Sequence, residues 1–173
     1  MALCNFKRCN SVRSYSWFDD KESIRRIIDR LDLSKDYTKP IQNHLPNNQK
    51  AMTPIKFYSQ IDSIFNFDFD PCPANPKFDG LSIAWKKMNY VNPPFDSIGM
   101  WLEKAIHEAK RGKRSVFLIP ARVDRPWYRL YVRHFVHGFL PGKLAFQGYQ
   151  RPFPEPLMLV LISPTKVKGL KSS

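Results

Sequence analysis

The four consecutive residues Asn92-Pro93-Pro94-Phe95, called the NPPF segment below, are the part of the chain best suited to chemistry. They follow Asn89-Tyr90-Val91, a short apolar stretch that predicts a β-strand. The end of that strand would carry an amide oxygen, a prolyl carbonyl and an aromatic ring side by side. The two prolines restrict the backbone and would hold these groups in place at little entropic cost. A proline-rich turn without a chemical role is the alternative interpretation of the same residues.

The NPPF segment resembles the catalytic tetrapeptide of amino-methyltransferases, which methylate the exocyclic nitrogen of adenine or cytosine. That nitrogen is a poor nucleophile because its lone pair is delocalised into the ring. The Asn92 side-chain oxygen and the Pro93 carbonyl could accept the amine hydrogens and localise the lone pair toward an incoming methyl group. Pro94 would help to fix the backbone. Phe95 would stack on the extruded base, a contact worth roughly 1–3 kcal/mol.

Shorter motifs surround the NPPF segment in an order that extends this resemblance. They are Thr53-Pro54, Asp70-Pro71-Cys72, Asp79-Gly80-Leu81 with Trp85, Phe117 to Arg122 with Asp124 and Trp127, Gly142-Lys143-Leu144 with Phe146, and Pro152-Phe153-Pro154. From Thr53 to about Ile162, roughly two thirds of its length, the chain resembles the phage-encoded, Dam-like DNA N6-adenine methyltransferase family. The resemblance implies S-adenosylmethionine as methyl donor and adenine in DNA as acceptor.

The same resemblance implies where the cofactor would bind. Thr53-Pro54 matches the element that contacts its methionine end, and Asp70-Pro71 matches the acidic-proline motif after the first strand, where Asp70 could hold the ammonium group. Asp79 would replace the carboxylate that usually binds the ribose. Without the resemblance, Thr-Pro is only a helix-start signal and Asp70 only a turn initiator.

Two features depart from the family pattern. The glycine-rich loop that normally follows the first strand is missing, because no glycine occurs between Asp70 and Gly80. Only about 20 residues separate Asp70 from Asn92, and a parallel crossover needs a dozen or more. Two intermediate strands with their helices cannot fit there, so the sheet must be abbreviated.

Alternating patterns predict the elements that would position these residues. The predicted elements are a helix over about 21–32, a strand-like run Ile61 to Phe69, a strand Asn89 to Val91, a helix Ile98 to Ala109, a strand Ser115 to Ile119, a helix Arg125 to His134 and a strand Leu157 to Ile162. This alternation predicts an α/β protein with an abbreviated Rossmann-like methyltransferase fold, a mostly parallel sheet and flanking helices. Ligands would bind beyond the carboxyl ends of the strands.

Three regions follow from these patterns. Residues 1–50 are interpreted as an N-terminal extension with one amphipathic helix and a polar linker, through which a protein partner could bind. Residues 51–165 form the methyltransferase-like domain, and 166–173 form a basic tail.

The net charge of +13 is unevenly distributed, because residues 99–150 hold ten Lys/Arg and three Asp/Glu. A basic surface suits a polyanion such as DNA. The residues predicted to bind nucleic acid are Arg122, Arg125, Arg129 and Arg133, which interleave with Trp127, Tyr128 and Tyr131. A solvated basic helix face is the alternative interpretation.

Composition also excludes several classes of protein. No run of roughly 18 apolar residues predicts a membrane span, and no apolar run near Met1 predicts a signal peptide. The three cysteines cannot all pair, which favours a reducing, intracellular location, in the host cytoplasm or nucleus if the protein is viral. We expect no metal site, because Cys4 and Cys9 lack the spacing and the downstream partners of a zinc site.

A second class of function competes with the enzyme. A basic structural or nucleic-acid-binding protein, such as a virion component, could retain the methyltransferase fold without catalysis. The abbreviated sheet, the missing glycines and the 50-residue extension favour this alternative, whereas the intact NPPF segment favours the enzyme. Measurable affinity for S-adenosylmethionine would distinguish the two.

Overall fold

The computed structural model describes residues 20–31, 52–147, 149 and 151–164. The helices are α1 (Asp20–Arg30), α2 (Ile55–Phe65), α3 (Ile98–Lys110) and α4 (Pro126–Leu130), followed by a 3-10 turn at Val132–His134. The strands are β1 (Met88–Val91), β2 (Arg114–Pro120), β3 (Val136–Phe139) and β4 (Leu157–Ile162). The predicted linker, the basic tail and the first 19 residues lie outside the described residues.

The four strands form one mixed sheet in the order β1-β2-β4-β3. Strands β1 and β2 are parallel, whereas β4 runs antiparallel to both β2 and β3. The prediction of a mostly parallel sheet is therefore wrong, although the α/β class is correct. The physical reason is the connection from β3 to β4. It contains no helix in its described part, so the chain returns directly beside β3 in the opposite direction instead of crossing the sheet.

The strand directions give the sheet two distinct edges. Strands β1, β2 and β3 all end at one edge, called the carboxyl edge below, and β4 begins there. Strands β1, β2 and β3 begin at the opposite edge, called the amino edge, where β4 ends. A further parallel bridge joins Phe69 to Asn89, so the chain just before Asp70 extends the sheet beyond β1.

Helices cover both faces of the sheet. The alternating side chains of β4 separate two apolar cores, because Leu157, Leu159 and Leu161 face one side and Met158, Val160 and Ile162 face the other. Helices α1 and α2 cover the first side, with Ile24, Ile27, Phe57 and Ile61 fully or almost fully buried. Helix α3 covers the second, through Trp101, Leu102 and Ala105 among others. This arrangement leaves the two sheet edges as the places where polar groups can collect.

The segment between Phe69 and β1 is a loop that connects the two sheet edges. It consists of turns and bends, without a helix, and Asp70 is followed by a proline-rich stretch. Gly80 packs so closely under Pro71 that a Cβ placed on it would lie 1.8 Å from the Pro71 carbonyl oxygen. The indole Nε1 of Trp85 donates a 2.7 Å hydrogen bond to the Gly80 carbonyl. The loop is thus tightly packed and held by its own contacts.

Most predicted elements form near their expected positions, but two predicted elements are wrong, and two elements of the structure, α2 and β3, were not predicted. The strand-like run Ile61 to Phe69 is wrong over most of its length, because α2 continues to Phe65 and Asn66 ends it in the left-handed conformation. The helix predicted over 125–134 is broken into α4 and the 3-10 turn. Strand β3 was not predicted. No helix in the described part of the chain is long and apolar enough to cross a membrane.

Candidate active site

The NPPF segment connects the carboxyl end of β1 to the start of α3. Asn92 and Pro93 are buried, Phe95 is half-buried and Pro94 is exposed. The Ser97 backbone N–H donates to the Pro94 carbonyl at 3.1 Å, which closes the turn immediately before α3. The segment therefore lies at a strand end, as predicted. Two of its four residues are buried, so it is not an exposed surface turn.

The Asn92 side chain is fixed by a chain of hydrogen bonds. Its amide nitrogen donates to the Thr53 hydroxyl oxygen at 3.3 Å, and that oxygen lies 2.6 Å from the Tyr90 hydroxyl. Burial raises the pKa of Tyr90, so this phenol stays protonated throughout the physiological range. Because the amide nitrogen faces Thr53, the amide oxygen points away from it. The orientation of Asn92 is thus determined by two buried or half-buried hydroxyl groups.

Thr53 is itself held from both sides. Its neighbour Met52 forms an antiparallel bridge with Gln147, whose backbone N–H donates to the Met52 carbonyl at 2.9 Å. On the other side, the Pro54 carbonyl accepts the Tyr58 N–H at 2.9 Å and begins α2. The Thr-Pro pair therefore acts as a helix start and also brings a hydroxyl group to the NPPF segment.

Three phenylalanines form an aromatic cluster beside the NPPF segment. The ring centroids of Phe95 and Phe153 are 5.1 Å apart, and Phe146 lies 6.1 Å from Phe95, all in edge-to-face arrangements. Phe146 is buried, whereas Phe95 and Phe153 are half-buried. The Phe153 N–H donates to the Leu144 carbonyl at 2.9 Å, which holds the two sides of this loop together. The cluster gives the carboxyl edge an apolar surface of the kind on which a planar base can stack.

Asp70 lies at the same edge as Asn92. The Tyr90 N–H donates to the Phe69 carbonyl at 3.0 Å, so Asp70 follows a segment that pairs directly with β1. Neighbouring strands are about 4.8 Å apart, which puts the two side chains in one neighbourhood. One carboxylate oxygen of Asp70 accepts the Cys72 N–H at 2.8 Å. The acidic group is thus held by its own turn at the strand end.

The other two predicted cofactor residues are built into the loop. Asp79 accepts the Leu81 N–H at 3.0 Å and also the Ser82 hydroxyl. The Ser82 hydrogen bond, together with that N–H, lowers the pKa of Asp79, so it is ionised at neutral pH. Pro71 is buried, and its carbonyl lies against Gly80. The described contacts of both residues stabilise the turn, and none of them points to a ribose.

The four predicted nucleic-acid-binding arginines do not lie on one surface. Arg122 forms a two-pronged ion pair with Glu155 at the carboxyl edge. Arg125 precedes α4 and lies 3.7 Å from Asp124, and Arg129 is exposed in the last turn of that short helix. Arg133 precedes β3 and therefore lies toward the amino edge. The local charge of +7 in residues 99–150 is thus divided between the two edges.

Tyr90 is the site residue that the sequence did not single out. The signal for it is its position in β1, two residues before Asn92, because alternate strand residues share a face. Phe146 and Phe153 were recognised as motifs but had no assigned role. Among the described residues, no group of three His, Cys, Asp or Glu side chains is arranged to hold a metal ion.

Comparison of the chain with protein-family models, with curated proteins and with solved structures gave no match.

Proposed function

We propose that the protein transfers a methyl group from S-adenosylmethionine to N6 of adenine in DNA, within an abbreviated Rossmann-like fold. The observation that carries this proposal is the orientation of the Asn92 amide by Thr53 at the carboxyl end of β1. Oriented acceptors at the carboxyl end of a strand match both the chemistry of amine methylation and the usual location of ligands in α/β sheets.

The residues of the NPPF segment have separate roles in this reaction. The Asn92 amide oxygen and the Pro93 carbonyl accept the two amine hydrogens, which directs the nitrogen lone pair toward the electrophile. As the new N–C bond forms, one amine proton leaves to solvent. Phe95 and the rest of the aromatic cluster hold the extruded base, which offsets a flipping cost of a few kcal/mol. Thr53 keeps the amide from rotating and so reduces the entropic cost of alignment.

The residues at this edge fit the amino group of the cofactor well and its ribose poorly. Asp70 would hold a cationic amino group at the carboxyl edge, close to Thr53 and Asn92. When bound, S-adenosylmethionine supplies an electrophilic methyl group and leaves as a neutral thioether. Asp79 and Pro71 are engaged within the loop, so the ribose would need other partners from this edge.

Replacement of Asn92 tests the proposal. We expect Asn92→Ala to lower methyl transfer to DNA at least about 100-fold, the usual effect of losing one oriented group of this kind. Asn92 is only 6% exposed, so some loss of stability, about 1–3 kcal/mol, accompanies the loss of its hydrogen bond. The matched control is Asn75→Ala, which changes an exposed asparagine of the neighbouring loop and should retain full activity.

Methyl transfer is measured with radiolabelled cofactor and duplex DNA, at a temperature where circular dichroism shows both variants folded. Retention of activity by Asn92→Ala would overturn the assignment of the reactive segment.

A non-catalytic basic binding protein is the second candidate. The engagement of Asp79 and Pro71 within the loop favours it, because fewer groups then face a cofactor. Isothermal titration of the unaltered protein separates the two candidates. Binding of S-adenosylmethionine that is weakened by Asp70→Asn supports the enzyme, and no binding at millimolar cofactor supports the alternative.

A further inference from the structure

The amino edge of the sheet is strongly basic. Six cationic side chains precede the strands that begin there, and they are called the basic face below: Lys86, Lys87, Lys110, Arg111, Lys113 and Arg133. Five of the six are exposed and Lys113 is half-buried. They come from three separate stretches of the chain, before β1, before β2 and before β3, so only the fold brings them to one edge.

A buried asparagine holds two of these stretches together. The Asn89 amide nitrogen donates to the carbonyls of Lys86 and Arg114, at 3.0 and 2.7 Å, and its oxygen accepts the Lys86 N–H. The Arg114 N–H also donates to the Lys87 carbonyl at 2.9 Å. The backbone beneath the cations is therefore fixed, so that like charges are held near one another despite their mutual repulsion.

Carboxylates near this edge already have partners. Asp68 accepts the Met88 N–H at 2.9 Å, and Glu108 is buried with Lys104 2.7 Å away. Although burial opposes it, the hydrogen bond from Lys104 lowers the pKa of Glu108, so this carboxylate is engaged with Lys104. The C-terminal end of α3 attracts Lys110 and Arg111 through the helix dipole, but it does not explain the cations before β1 and β3.

The positive surface continues beside Arg133. A cavity of about 530 Å³ lies between α1 and the start of β3, and Lys21, Arg25, His134 and His137 are among its lining residues. Asp29 is the carboxylate in this lining. The lining of this cavity therefore places Lys21 and Arg25 of α1 beside the Arg133 end of the basic face.

We propose that the basic face binds the phosphate backbone of duplex DNA, separately from the candidate active site. Three strand spacings of about 4.8 Å make the row about 14 Å long. Duplex DNA carries one charge per about 1.7 Å, so about eight phosphates lie along this length and about four of them face the protein. The face is about 23 Å from the carboxyl edge, the length of the seven-residue β2, so a duplex bound here is not the segment that reaches Asn92.

Charge reversal tests the proposal with duplex DNA of mixed sequence as the probe. Lys87→Glu/Arg111→Glu should weaken binding at least about tenfold at 50 mM salt and make the log–log salt slope shallower by about 1.8, the value for two lost contacts. The matched control is Lys77→Glu/Lys143→Glu, which changes two exposed lysines outside the basic face by the same net charge. It should lower affinity by less than about threefold.

Other outcomes overturn the proposal. Equal weakening by both double variants shows that net charge alone drives binding, and unchanged binding in Lys87→Glu/Arg111→Glu excludes the face. Binding of polyglutamate as tightly as DNA at the same salt indicates an acidic protein partner instead. If the Glu variant does not fold, Lys87→Gln/Arg111→Gln provides the same comparison against Lys77→Gln/Lys143→Gln, with the same expected change of about 1.8 in slope, because Gln also removes one contact per site. These readings are independent of methyl transfer, so they and the Asn92→Ala result can fail separately.

Discussion

The two edges of the sheet both carry polar side chains but differ in how those side chains are organised. At the carboxyl edge, charged and polar groups are neutralised or hydrogen-bonded by neighbours, as in the Arg122–Glu155 pair and the Asn92–Thr53–Tyr90 chain. At the amino edge, six cations share one surface, and the nearby carboxylates Asp68 and Glu108 are hydrogen-bonded to the Met88 N–H and to Lys104.

The difference shows what each edge can recognise. Oriented amide and hydroxyl groups beside aromatic rings have a definite geometry, and such a site can select one small molecule or one base. A row of exposed cations has long-range attraction but little geometric requirement, and it suits a repeating polyanion. The loop from Asp70 to Lys87 joins the two edges, so a change at its packed position Gly80 should affect both, whereas changes at its exposed side chains should not.

The largest expected effect comes from Gly80, which anchors that loop. Gly80→Ala would place a Cβ 1.8 Å from the Pro71 carbonyl oxygen, a clash with backbone that cannot move away cheaply. We expect a loss of at least about 3 kcal/mol in the free energy of unfolding, or a fall of roughly 6–12 °C in Tm. Both DNA binding and cofactor binding should weaken together, because the loop supports both edges.

Gly99→Ala is the control for this change. Gly99 lies in α3, where the nearest heavy atom to an added Cβ is 3.8 Å away on Trp127, so stability should stay within about 1 kcal/mol of the unaltered protein. Thermal unfolding followed by circular dichroism measures both variants. An equal Tm for Gly80→Ala would show that the loop tolerates rearrangement and does not couple the edges.

The sequence predicted the elements whose patterns are long and regular. α3 and β4 have the expected spacing of apolar residues, and they form within one or two residues of the predicted bounds. α2 was obscured because its last turn runs directly into Phe67 and Phe69, which look like a strand. β3 is only four residues long, half-buried and interrupted by Gly138, so its pattern is too weak to detect. The antiparallel direction of β4 depends on a connection, which residue patterns do not specify.

A smaller effect tests how the carboxyl edge is organised. Thr53→Val removes the hydroxyl group that joins Asn92 to Tyr90 while keeping the shape of the side chain. As Thr53 acts through Asn92, we expect kcat for methyl transfer to fall about tenfold with KM for DNA unchanged, the effect of a mispositioned reactive group. Thr53→Ser should restore kcat, because it returns the hydroxyl. A fall in Tm with unchanged kcat would show that Thr53 is only structural.

The hydrogen bonds among Asn92, Thr53 and Tyr90 also show which part of the site could not be predicted from the sequence. The order of the motifs predicted that Thr53, Asp70 and Asn92 belong to one neighbourhood, and the structure places them at the same edge. The sequence predicted Thr53 as a cofactor-binding residue and did not predict its hydrogen bond with Asn92. That hydrogen bond joins residues 39 positions apart, so it depends on the tertiary fold. Tyr90 was missed for the same reason. The role of each residue remains a prediction.

The smallest effect concerns the charge balance of the carboxyl edge. The hydrogen bond from Arg122 lowers the pKa of Glu155 below its ordinary value of 4.5. The ion pair therefore stabilises the folded protein fully when the pH is above the ordinary carboxyl pKa of 4.5. This stabilisation is lost as the pH falls through the lowered pKa that Glu155 has in the folded protein. Both side chains are about one third exposed, so solvent screening limits the contribution to less than about 1 kcal/mol.

Glu155→Gln should therefore lower the free energy of unfolding slightly at pH 7, and the difference from the unaltered protein should shrink as the pH falls below about 4.5, as measured by urea denaturation. At pH 7 the same variant releases Arg122, so the carboxyl edge gains one uncompensated cation. Duplex DNA affinity should rise by about twofold to tenfold, and the salt slope should steepen by at most about 0.9. Glu103→Gln, which removes an exposed carboxylate from α3, is the control for net charge. An identical rise in DNA affinity in both variants would mean that pairing with Glu155 does not restrain Arg122. The contrast between the two edges would then depend on the amino edge alone.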